Sequence, residues 1–192
     1  MTQAKVVAVR YAIDPKVSRF TVRAFASGAL SAFGHNPTIA IRDFSGEVQL
    51  NPENGEDASL RITAKASSLE VTDDISDKDR REIERQMQED VLESSQYPDI
   101  VYECSSASTS KTGEGQYQVV LNGELTLHGV TGNPTISARF ALAGDTARAF
   151  GEFSIRQSEY NIKLVSALGG ALKVKDEVKF AFDIVARKQG QV

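Results

Sequence analysis

Side chains able to do chemistry are scarce in this chain. Its two histidines are His35 in "FGHNPTI" and His128 in "GELTLHGVTGNPTI", each a few residues from an Asn-Pro-Thr. Two histidines in similar settings suggest a shared metal or an acid–base couple. A metal site needs further ligands at close spacing, such as a His-x-His pair or a cysteine cluster. Neither occurs, and Cys104 is the sole cysteine. By strand phase His128 groups with Gln118, Asn122, Glu124 and Thr126, away from the apolar face and one residue before Gly129. It is expected as a surface or rim residue holding the turn, and His35, in its Gly-His-Asn-Pro loop, as structural. Cys104 shares phase with Ile100 and Tyr102, which makes it a small inward-facing hydrophobe rather than a nucleophile. No nucleophile elbow or phosphate-cradling loop is present; "GEGQYQ" lacks the third glycine of a dinucleotide fingerprint. The carboxylate pairs Asp73–Asp74 and Glu89–Asp90 sit in charge-rich stretches best explained as solvated faces. The reading is therefore no catalytic residue, no metal and no cofactor.

The elements that would position these residues show mainly period-two alternation. Tyr117, Val119, Leu121, Leu125 and Leu127 fall on one face, with Gly123 in phase. Ile136, Ala138, Phe140 and Leu142 oppose Thr135, Ser137 and Arg139, and Val178, Phe180, Phe182 and Ile184 oppose Lys179 and Asp183. Leu60, Ile62, Ala64 and Ala66 alternate with Arg61, Thr63 and Lys65; weaker examples include Phe20 with Val22, and Ile39 with Ile41. Each reads as a half-buried strand, separated by turns such as "NPENGED", "SKTGEG" and "AGDTA". One helix is expected between about Asp77 and Ser94. It opens on Ser76 with Asp79 three residues on, a capping-box pattern, and carries Ile83, Met87 and Val91 as a narrow apolar stripe. A second short helical turn is expected near Asn161 to Leu168.

About eight antiparallel strands with polar outer faces must turn their apolar faces toward one another, as a sandwich or a closed barrel. A barrel of that size is either filled by side chains or holds one small ligand. The 192 residues fit one domain, and a composition 41% hydrophobic and 25% charged with net charge −4 offers no footprint for nucleic acid or anionic membrane. The N-terminal apolar run, "VVAV", is too short for a secretory h-region, and no later stretch could span a membrane. A cytoplasmic protein is expected, or a periplasmic one if a leader has been removed; a homodimer stays open.

The order of motifs carries a resemblance. "YAIDPKVSRFTVRAF", "FSGEVQL", "ASSLEVTD", the charged helix, "SSQYPDIVYECSS", "YQVVLNGELTLHGVTGNPTI", "FSIRQSEYNI" and "LKVKDEVKFAFDIVA" follow one another from about Tyr11 to Arg187. This resembles the YceI-like family of lipocalin-like, polyisoprenoid-binding proteins. The resemblance implies an extended antiparallel eight-stranded barrel with one inserted α-helix, no enzymatic activity, and a long apolar ligand such as a polyisoprenoid or isoprenoid quinone. Strand phase assigns the lumen to Phe20, Val22, Ile62, Tyr102, Leu121, Leu125, Phe140, Phe180 and Phe182. Polar anchoring is expected to be slight and at one mouth, with Arg156 or Tyr160 of "FSIRQSEYNI" as the candidates. The rival readings are an enzyme in the same shell, using His128 or His35 with a nearby carboxylate, and a stress-response interaction module whose barrel is filled by its own side chains.

Overall fold

The computed structural model describes residues 8–27, 36–51, 58–167, 169 and 171–190. His35 lies outside the described residues. Among them the chain forms seventeen strand segments, one α-helix and short turns of tighter or wider helix. The alternation seen in the sequence becomes a strongly curled antiparallel sheet with its apolar side inward, in broad outline a lipocalin-like barrel.

The backbone of this sheet is β17 (Glu177–Lys188), which pairs with β14 (Thr146–Arg156) in one unbroken register from Thr146 opposite Arg187 to Arg156 opposite Glu177. From β14 the ladder continues through β13 (Thr135–Ala143) and β10 (Gln116–Asn122) to β9 (Ala107–Gly113). Along the other edge of β17 lie β1 (Val9–Ile13) and β2 (Arg19–Arg23), end to end. β1 leads to β5 (Phe44–Leu50), β6 (Ser59–Lys65), β8 (Asp99–Cys104), β11 (Glu124–Leu127) and β12 (Val130–Gly132), while β2 leads to β4 (Thr38–Ile41) and β7 (Leu69–Val71). A separate three-stranded flap joins β3 (Ala26–Ser27), β15 (Ser166–Ala167) and β16 (Leu172–Val174).

Register is fixed on both faces. Inside, Tyr11, Leu50, Ala138, Ile155, Ile184 and Ala186 are buried with the rest of the core. Outside, Arg61 pairs with Glu103 directly across β6 and β8, and Lys65 with Asp99 (2.6 Å) four residues on. Cross-strand pairs like these contribute roughly 0.2–1 kcal/mol each. A one-residue slip would bring their charges into the core.

Helix α1 (Asp77–Gln86) starts where its capping box predicts: the Asp79 N–H donates to Ser76 Oγ (3.1 Å). A wider, π-type turn (Met87–Val91) continues it, so the helical stretch ends close to the expected boundary. Its side chains at four-residue spacing stitch it to the sheet. Arg80 donates to the carbonyls of Val71 and Asp73, Glu84 accepts from the Val71 N–H (2.9 Å), and Gln88 Nε2 donates to the Ala66 carbonyl (3.0 Å). Both backbone groups of Val71 are thereby covered, which protects the open edge of β7. The second helical turn comes earlier than the sequence suggested. It is a 3₁₀ turn at Gln157–Tyr160, ended by Asn161 in the left-handed region (φ 55°). Asp176 explains the shift: its carboxylate accepts from the Ser158 N–H (2.8 Å) and Oγ (2.7 Å), capping the turn there.

Candidate functional site

The curled sheet encloses two apolar cavities. The upper one, about 160 Å³, is bounded by β5, β6, β8, β10, β13, β14 and β17, and its wall includes Leu50, Leu60, Ala64, Val119, Ala138, Phe153 and Ile184. The lower one, about 270 Å³, lies between β2, β4, the helix and the flap; Val22, Ile39, Leu69, Ile155, Ile162 and Val178 line it. Ile41, Ile100 and Phe180 line both, so the two compartments meet at that level. Ile100 stands on β8 and Phe180 on β17, four ladder steps apart. Along β17, inward side chains run from Ile184 in the upper compartment to Val178 in the lower. Six residues of strand make that about 20 Å.

Of the nine residues assigned to the lumen by phase, Phe20, Ile62, Tyr102, Leu121, Leu125, Phe140, Phe180 and Phe182 stand on the upper cavity wall, and Val22 on the lower. Aromatic packing shapes this wall. Phe153 stacks on Phe180 (centroids 4.9 Å apart, planes at 10°), and Phe20 meets Phe44 edge-on at 4.9 Å. Ala64 and Ala138 do thin the upper wall. Gly123 serves a different purpose: a Cβ there would lie 2.6 Å from the phenol end of Tyr102, so its missing side chain makes room for that ring rather than for a ligand. Burial raises the Tyr102 phenol pKa well above its usual value.

The two residues proposed for polar mouth contacts stand elsewhere. Tyr160 is 2% exposed, packed in the core beneath Gly132, and lines neither cavity; Arg156 faces solvent at the end of β14. The 3₁₀ turn rotates Tyr160 into the core and brings Gln157, at its start, to the cavity instead. The polar side chains on the lower wall are Gln86, Gln157 and Lys173. Phase reasoning in the main sheet could not find these: Gln86 lies on the helix, Gln157 in the 3₁₀ turn and Lys173 on the short β16 of the flap. The helix contribution was also missed, although its signal was visible: Ile83, Met87 and Val91, the four-residue stripe, form one side of the lower cavity.

His128 departs from the surface role expected of it. Its side chain is only 9% exposed and both ring nitrogens are engaged. Nδ1 donates to the Tyr160 carbonyl (3.2 Å), Nε2 meets Glu93 Oε2 (2.6 Å), and the ring packs on Tyr97 at 4.5 Å. His128 and Glu93 are both left-handed non-glycine residues (φ 51° and 44°), each held at a turn by this contact. The physical reason is the turn itself: a positive φ at the end of β11 breaks the alternation and swings the ring inward. The cluster clasps the end of the helical stretch to the β11–β12 hairpin and touches neither cavity. Cys104 is buried as expected, its thiol donating to the Ser106 carbonyl (2.8 Å). Among the described residues no group of three or more His, Cys, Asp or Glu side chains could hold a metal ion, and no helix is long and apolar enough to cross a membrane.

A curled antiparallel sheet around an apolar interior, with one helix laid against it, defines a lipocalin-like protein. The chain belongs to the YceI-like domain family, whose model matches residues 11–186. Solved structures share the fold. BcnA of Burkholderia cenocepacia is 21% identical with a TM-score of 0.68, over 90% of this chain and 98% of its own. A polyisoprenoid-binding domain from Saccharophagus degradans, implicated in plant cell wall breakdown, is 12% identical with a TM-score of 0.66, over 94% and 99%. The Campylobacter jejuni YCEI protein is 16% identical with a TM-score of 0.60, over 82% and 88%. A search of curated proteins finds no match.

Proposed function

We propose that this protein binds a long, thin apolar lipid, such as a polyisoprenoid or isoprenoid quinone, and carries or sequesters it without chemical change. The observation that carries this reading is the pair of apolar cavities meeting at Ile41, Ile100 and Phe180. Each is at least as large as the roughly 150 Å³ apolar cavity known to bind benzene, and a space lined by Leu, Ile and Phe does not hold water well. The polyisoprenoid-binding neighbour from Saccharophagus degradans supports the same ligand class.

The fold reading that goes with it is an eight-stranded barrel. β8 and β9 are separated only by Ser105–Ser106, and β10 and β11 only by Gly123, so each couple counts as one bent strand. Counted this way, β1 with β2, β4 with β5, β6 with β7, and β12 with β13 join β14 and β17 in a ring of eight. Burial of chain inside it contributes roughly 0.8 kcal/mol per CH₂-sized group. Ten such groups would reach about micromolar affinity before ordering costs. The Glu93–His128 pair stands apart from both cavities, which favours binding over catalysis.

Organic extraction of the purified protein followed by mass spectrometry tests this directly, with an isoprenoid-type lipid expected near one per chain. Leu121→Asp should expel it, because a buried unpaired carboxylate is costly in an apolar wall. A variant with an intact sheet by circular dichroism that still co-purifies with lipid at the wild-type ratio would overturn the reading.

A further inference from the structure

We infer that the lower compartment is the polar end of the site and that it selects a hydroxyl group, so that the ligand is a long-chain alcohol seated head-first against Gln157. This deepens the proposed lipid binding and rests on it. Gln157 is the one buried polar side chain on the lower wall (8% exposed); Gln86 is half-buried and Lys173 exposed at the rim.

Nearly every polar atom of Gln157 is accounted for. Its backbone N–H donates to the Asp176 carbonyl (2.9 Å), its carbonyl accepts from the Ile162 N–H (3.1 Å), and Nε2 donates to the Lys175 carbonyl (2.9 Å). The last contact fixes the amide orientation, because a flipped group would set two acceptor oxygens against each other. Oε1 is left over, with no hydrogen bond among the described residues. Two other unpartnered polar atoms, Gln88 Oε1 and Tyr102 Oη, are sealed from any space; Gln157 Oε1 is not among the sealed atoms, and its side chain lines the cavity. An acceptor that keeps accessible surface on an otherwise apolar, ligand-sized wall marks where a donor from the ligand belongs.

The chemistry of that donor follows. A carboxylate or phosphate presents acceptors to Oε1 and would be repelled there, whereas an alcohol O–H donates to it. The apolar chain would then run past Phe180 into the upper compartment.

The test uses three probes with one C20 prenyl chain: the alcohol, its methyl ether and its monophosphate. The full-length protein should bind the alcohol about tenfold tighter than the ether, as expected for one buried hydrogen bond. In Gln157→Leu that ratio should fall to about one, with ether affinity unchanged; Gln157→Met, closer in shape, stands in if the first variant fails to fold. A merely structural Gln157 would weaken both probes equally and leave the ratio intact, overturning the inference. Equal affinity of alcohol and ether for wild type would overturn it while leaving lipid binding in place, as would tightest binding of the monophosphate lost in Lys173→Gln. Failure of all three probes to bind would overturn lipid binding itself.

Discussion

Enlarging the residue at the junction should cut a long ligand's site in two. Ile100 is half-buried, lines both compartments, and lies directly across from the small Ala64 in the β6–β8 register. Ile100→Phe therefore adds bulk where the channel passes between β8 and β17, with room beside it for the backbone to stay in place. Overpacking of this kind costs about 1–3 kcal/mol of stability. A chain long enough to occupy both compartments would lose the lower one. If only four CH₂-sized groups are shut out at roughly 0.8 kcal/mol each, the loss is about 3 kcal/mol, or on the order of 200-fold in Kd. A chain short enough to sit in the upper compartment alone should bind nearly as before. Competition titrations with a fluorescent lipid, using C10 and C20 prenyl chains, measure both constants, and circular dichroism establishes that the variant is folded. Equal weakening of the two chains, or no effect on either, would refute the single-channel reasoning.

His128→Gln should weaken the clasp without emptying the cavities. Removing a largely buried partner of Glu93 and of the Tyr160 carbonyl is expected to cost about 1–3 kcal/mol in denaturant unfolding, while lipid affinity stays within twofold. A larger loss of affinity than of stability would show the clasp acting on the site. Acid should destabilise the fold through Asp183 on β17 and Asp14 beside it. Hydrogen bonding to Arg148 lowers the Asp183 pKa, and hydrogen bonding to Arg187 lowers that of Asp14. A depressed folded-state pKa gives stability that is fully present above the ordinary Asp value and lost as pH falls through the lower folded one. Urea midpoints should therefore be flat near neutrality and drop below about pH 4; Asp183→Asn should flatten that drop.

The strands, the helix and its cap were legible in the sequence for physical reasons that act locally. Period-two alternation such as Tyr117, Val119, Leu121 dictates which face is buried whatever the neighbours are, and Ser76 with Asp79 needs only the first helical turn to form its cap. The nine wall residues named by phase lie on the cavities for the same reason. Tertiary structure decided what depends on residues distant in the chain. Gln157 faces the lower cavity because Asp176 caps its turn through Ser158, eighteen positions earlier in the chain, and because the Lys175 carbonyl holds its amide; no local pattern encodes either contact. His128 is buried because Glu93 and Tyr97 arrive from the end of the helical stretch. The helix stripe Ile83, Met87 and Val91 could be read as apolar from sequence, but only docking of Arg80, Glu84 and Gln88 against β7 and its preceding turn turns that stripe into a cavity wall. Alternation tells a side chain which way to point; what it meets there is set by the curl of the sheet and the segments folded against it.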